Sequence, residues 1–120
     1  MEIIFVIPGE LPDMNNIIKM SKSHYMVYSK MKKKYTEIVR LSASNLPTVE
    51  SADFEITWYC KNRRKDKDNI ASGQKFIFDG LVNAGVIKND GWSEIGDVSH
   101  KFGIDKKNPR IEVRLYANQI

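Results

Sequence analysis

The sequence predicts an α+β domain, a small mixed β-sheet of about five strands carrying two main helices. Residues 53–60 alternate, with Phe54, Ile56, Trp58 and Cys60 on one side and Asp53, Glu55, Thr57 and Tyr59 on the other. That two-residue period is the mark of a half-buried strand. Residues 111–116 alternate in the same way, with Ile111, Val113 and Leu115 facing inward. Between these strands, residues 69–84 repeat apolar side chains at helical spacing, so strands flank a central helix on both sides.

Taken in order, residues 3–7 are an unbroken apolar run stopped by Pro8-Gly9, which reads as a strand buried on both faces. A proline-containing loop follows over 11–16. Residues 24–28 (His24-Tyr25-Met26-Val27-Tyr28) read as a second strand. A helix is expected over 30–45, capped by Ser29, with Met31, Tyr35, Ile38 and Leu41 or Ser42 near helical spacing. Lys30, Lys32, Lys33, Lys34 and Arg40 occupy its other face, as a solvated surface or as a track for phosphates. Pro47 ends this helix, and 48–52 is a polar connection. In the 53–60 strand, Trp58 belongs to the core and Tyr59 to the exposed side.

The central helix, 69–84, carries Ile70, Gly73, Ile77, Leu81 and Ala84 along one stripe, with Gly85 where a left-handed terminator belongs. Gly73 and Gly80 weaken a helix, which points to close packing against another element. A short extended piece at 86–88 leads to a turn at Asn89-Asp90-Gly91 and a helical turn at 92–95. Val98, His100 and Phe102 alternate in a further strand. A charged turn at 105–109 precedes the last one.

At 120 residues the chain is a single domain, 1–120. Its net charge of +4 suits an anionic partner without requiring one. Cys60 is the only cysteine, which rules out an intrachain disulfide and favours a reducing compartment. No stretch reads as a signal peptide or reaches membrane-spanning length, so a cytoplasmic location is expected. His24 and His100 are isolated, and no Cys/His spacing suggests zinc. Nucleophile elbows, phosphate-cradling glycine loops and dinucleotide fingerprints are also missing from the sequence.

The chemistry concentrates in Arg63-Arg64-Lys65-Asp66-Lys67-Asp68-Asn69, where two carboxylates sit one residue apart inside a basic run. Carboxylate oxygens suit a hard cation such as magnesium, and the flanking cations suit a phosphate backbone. The same residues could simply cap the helix that follows, since Asp and Asn accept from its first amides. Both readings stay open on spacing alone. A calcium-binding EF-hand loop is excluded, because Ile70, Ala71 and Ile77 fall where it needs a ligand, a glycine and a glutamate.

Arg63-Arg64-x-Asp66-x-Asp68-Asn69-Ile70, then Phe78-Asp79-Gly80-Leu81-x-x-Ala84-Gly85-Val86, then Asn89-Asp90, closely resembles the signature of RusA-type Holliday-junction resolvases. These are small phage and prophage endonucleases. The resemblance is tight from Arg63 to Ile95 and looser at Leu11-Pro12-Asp13-Met14-Asn15 and in the last strand.

It implies a RusA-like fold and a homodimer that cuts four-way DNA junctions in recombination and repair. It implies Mg2+, with Mn2+ able to substitute, held by Asp66, Asp68 and Asp90, the last returning towards the helix start. Arg63, Arg64, Lys65 and Lys67, with Lys32, Lys33 and Lys34, become the DNA-binding cations. Asn15 helps to order the site, Asn69 belongs to the motif, and Asp79 matches an acidic position read as supporting rather than ligating. One departure stands out: the family's catalytic lysine falls at Ser72 here. Lys75, three residues on, either takes over that role or is a solvated helix lysine. A catalytically weak or inactive junction-binding protein is the alternative reading.

Overall fold

The alternating segments pair as one sheet. In the computed structural model, which describes residues 1–118, the strands are β1 (Glu2–Pro8), β2 (Ser51–Cys60), β3 (Ile95–Ile104) and β4 (Arg110–Asn118). Their order in the sheet is β1-β4-β2-β3. β4 pairs antiparallel with both β1 and β2, whereas β2 and β3 run parallel, so the sheet is mixed as expected. The helices are α1 (Met14–Ser21), α2 (Tyr25–Ser42), α3 (Lys67–Ala71) and α4 (Gln74–Asn83). No described helix is long and apolar enough to cross a membrane.

The core lies between one face of the sheet and the pair α2 and α4. Phe54, Ile56 and Trp58 of β2, Ile111, Val113 and Leu115 of β4, and Ile3, Phe5 and Ile7 of β1 are all buried there. Phe76, Ile77 and Leu81 of α4 and Val39 of α2 close over them. The other sheet face is open, which corrects the reading of residues 3–7 as buried on both sides. β1 is an edge strand covered on one face only, and Ile4 and Val6 are about half exposed.

Two other expectations change. Residues 24–28 are not a strand: His24 caps α2, its Nδ1 accepting the Met26 amide at 3.2 Å, and Tyr25 to Tyr28 form the opening turns. Their aromatic and branched side chains favour a strand locally, but a helix satisfies their backbone without a sheet partner. The expected loop at 11–16 gives way at Met14 to α1, because the Asp13 side chain accepts the Asn16 amide at 2.8 Å and starts a helix.

The central helix is present but broken. α3 ends at Ala71 and α4 starts after Gly73, where an added Cβ would lie 3.1 Å from Leu11 Cβ and 3.1 Å from Trp58 Cη2. Gly85, at φ 76°, stops α4 in the left-handed conformation expected of it.

Gly80 is where α4 crosses α2, and a Cβ there would overlap Val39 Cγ1 and come within 3.1 Å of the Arg40 backbone nitrogen. Alanine gains about 1 kcal/mol over glycine in an unconstrained helix. Here overpacking outweighs that gain, since Val39 is fully buried. Gly80→Ala should destabilise the fold by about 1–3 kcal/mol in urea unfolding, and adding Val39→Ala should recover part of the loss.

Candidate active site

β2 ends at Cys60, whose carbonyl accepts the Asp105 amide at 2.8 Å, and the chain then leaves the sheet. Asp66 occupies the N-cap position of α3 with extended backbone, and its carbonyl accepts the Ile70 amide at 3.1 Å. Its carboxylate makes no capping hydrogen bond. The capping explanation therefore fails at the residue best placed to act as a cap. Asp68 follows in the first turn, with Oδ1 accepting the adjacent Asn69 amide at 2.9 Å. Both carboxylates are exposed.

Two ties to α1 bracket this pair. On one side, Lys65 Nζ meets Asp13 Oδ2 at 2.9 Å. On the other, Asn69 Oδ1 accepts the backbone amide of Asn15 at 3.0 Å. Asn15 thus touches the motif through its main chain. Asp13 does two jobs, since its Oδ1 caps α1 while Oδ2 holds Lys65. Burial alone would raise its pKa, but the Lys65 and Asn16 hydrogen bonds and the Lys65 charge together hold it below the usual carboxylate value. This role of Asp13 went unread in the sequence, although Asp three residues before Asn16 and ahead of Ile17-Ile18 is a helix-start pattern.

The basic residues divide. Arg63, Lys65 and Lys67 line a hollow of about 660 Å³ with Asp66, against Phe102, Gly103 and Ile104 of β3. Lys67 Nζ lies 5.6 Å from the Phe102 ring centre. Arg64 is exposed in the same loop, its amide donating to Asn62 Oδ1 at 3.0 Å. Ser72, standing where the family has its lysine, turns its hydroxyl back to the Asp68 carbonyl at 3.1 Å. Lys75 is exposed on the first turn of α4, beyond the break at Gly73.

Asp90 lines a different hollow from Asp66, and among the described residues Asp66, Asp68 and Asp90 form no group arranged to hold a metal ion. The parallel pairing of β2 and β3 makes α3 and α4 a crossover, which begins past Cys60 and ends beside Ile95, the partner of Ala52. These are opposite ends of a ten-residue strand, roughly 30 Å at about 3.3 Å per residue. Asp90 and Asp79 instead line a second hollow, of about 870 Å³, together with Lys32, Lys33 and Lys34 of α2. Among the described residues no group of three His, Cys, Asp or Glu side chains is arranged to hold a metal ion.

Other titratable candidates have structural roles. His100 Nδ1 accepts the Trp58 indole N–H at 2.9 Å, and burial pushes the imidazole pKa below its ordinary value. Tyr59 lies under the Arg110 guanidinium, 4.0 Å from the ring centre. Burial raises the Cys60 pKa, which keeps the thiol protonated.

A family model described as endodeoxyribonuclease RusA matches residues 9–116. No curated protein matches the chain.

The Asp13–Lys65 pair makes stability depend on pH. A carboxylate with a lowered folded-state pKa contributes fully above its ordinary value of 3.8, and the contribution is lost as pH falls through the folded value. The Lys65 pKa is raised, chiefly by the Asp13 hydrogen bond, so its contribution is complete below 10.5 and lost as pH rises beyond that. Asp13→Ala should cost about 1–2 kcal/mol at neutral pH, with Asp13→Asn costing less because an amide oxygen still caps α1. Urea unfolding across the acid range should show a shallower fall in stability for both variants than for the wild type.

Proposed function

Because the chain belongs to the RusA endodeoxyribonuclease family over nearly its whole length, we propose that it is a magnesium-dependent nuclease, with Mn2+ able to substitute, that resolves four-way DNA junctions by paired cuts. The observation that carries the metal reading is the Asp66–Asp68 pair. Both carboxylates are exposed, Asp66 is not committed to capping, and cations surround them. The donor set fits magnesium, which commonly takes one or two carboxylates and completes its shell with water and substrate phosphate. When bound, the ion supplies a more acidic water and neutralises charge developing on the scissile phosphate.

The chain's own residues bind and orient around that centre. Arg63, Arg64 and Lys67 engage backbone phosphates next to the cut, while Lys65 holds the loop in place through Asp13. Lys32, Lys33 and Lys34 extend the positive track along α2. Lys75 takes the role of the family lysine missing at Ser72, its flexible stem reaching towards the phosphate.

Asp90 reaches this centre in a homodimer. A four-way junction has two-fold symmetry, and an isologous dimer presents two equivalent sites to it. In this reading each site combines Asp66 and Asp68 of one protomer with Asp90 of the other, which the separate hollows of Asp66 and Asp90 within one chain support. The hollow containing Asp90, Asp79 and the α2 lysines then faces DNA near the partner's Asp66 loop.

Wild-type protein should cut a synthetic four-way junction in Mg2+, and Asp68→Asn should fall by more than about a hundredfold, beyond the loss usual for an outer-shell ligand partner. DNA binding should persist or tighten in that variant, because a repelling charge is gone. Mixing Asp68→Asn with Asp90→Asn separates shared from self-contained sites. In a shared arrangement the mixed dimer has one intact site and nicks junctions that neither variant cuts alone. No recovery on mixing would return Asp90 to its own chain. Full turnover by Lys75→Ala would remove that residue from the mechanism.

A further inference from the structure

We propose that Trp92 is a stacking platform for an unstacked base at the branch point of the DNA, an inference that rests on the nuclease reading above. The two tryptophans of this chain are treated in opposite ways. Trp58 is buried, with its indole N–H bonded to His100. Trp92 is 99% exposed. A tryptophan offers some of the largest apolar surface of any side chain, and a folded chain normally covers most of it. Nothing in the described chain covers this one.

Its backbone is nonetheless fixed. The Ile95 amide donates to the Gly91 carbonyl at 3.0 Å and that of Glu94 to the same oxygen at 3.3 Å. The Glu94 carbonyl accepts from Ala52 of β2 at 3.0 Å, which ties the turn to the sheet. On the other side, Asn89 Oδ1 accepts the Asp90 amide at 2.9 Å. The indole therefore projects from an anchored turn, two residues from Asp90, so that only the side chain itself is ordered on binding.

Charge indicates what it meets. Residues 91–97 contain Glu94 and Asp97 and no lysine or arginine. Such a segment repels phosphate, whereas an aromatic face stacks on a base whatever the surrounding charge. Bases in an intact duplex are already stacked. A branch point is where they can part, and proteins that bend duplex DNA show that apolar side chains can lodge between partly unstacked bases. Trp92 would thus distinguish a junction from a duplex, while the lysines and arginines contact phosphates common to both.

The test uses the Asp68→Asn protein, so that binding is read without cleavage. Adding Trp92→Ala should weaken binding to a four-way junction by about tenfold or more, the scale of one base–aromatic stack, and leave duplex binding unchanged. Trp92→Phe should recover most of the loss. Tryptophan emission should be quenched more by junction than by duplex, and that difference should vanish in Trp92→Phe. Unchanged junction binding, or equal losses on junction and duplex, would overturn the proposal. So would loss of the dimer in sedimentation of Trp92→Ala, which would place the indole against a second copy of the chain. Normal junction cleavage with an indifferent Trp92→Ala would sink this inference alone. Wild-type protein that neither binds nor cuts junctions in Mg2+ would remove the nuclease reading along with it.

Discussion

A parallel neighbour for β2 obliges the chain to cross the length of the sheet before it can pair again. That constraint decides where the chemistry lies. The segment leaving β2 carries Asp66 and Asp68, and the segment entering β3 carries Asp90, so the connection starts and finishes at opposite ends of these paired strands. The crossover is packed closely along its length: Gly73 sits against Trp58 and Leu11, and Gly80 against Val39.

The Asp66–Asp68 pair owes its setting to the N-terminal part of the chain. α1 buries none of its own residues, yet it holds the acidic loop at both flanks, through Asp13 on Lys65 and through the Asn15 amide on Asn69. An exposed pair of like charges in a basic loop would otherwise sample many arrangements. Ties on either side leave the carboxylates open to solvent while limiting the backbone beneath them. Lys65, which the sequence offers as a DNA contact, also braces the loop through Asp13.

Much of this was legible in the residues themselves. The two-residue alternation of Phe54, Ile56 and Trp58 and of Ile111, Val113 and Leu115 marked the central strands, because those side chains face a covered sheet. Gly85 marked the end of α4. The acidic and basic motif was visible because its spacing is local. Contacts across long separations were not legible. Asp13 and Lys65 lie far apart in sequence, and only the fold pairs them. Residues 24–28 misled because aromatic and branched side chains favour a strand unless a cap upstream starts a helix. The position of Asp90 was not legible either, because sequence distance from Asp68 says nothing about which end of a crossover it occupies.

The outer edge of β1 also bears on how the molecule behaves when concentrated. Its seven residues have no strand on their far side, and Ile4 and Val6 show apolar side chains on the open face. An unpaired edge is a template on which foreign strands can zip into aggregates. Pro8 withholds an amide at one end, and the Glu2–Arg114 ion pair at 3.2 Å puts charge beside the other. The usable template is therefore short and flanked by gatekeepers, which keeps a necessary apolar strand from becoming a solubility problem.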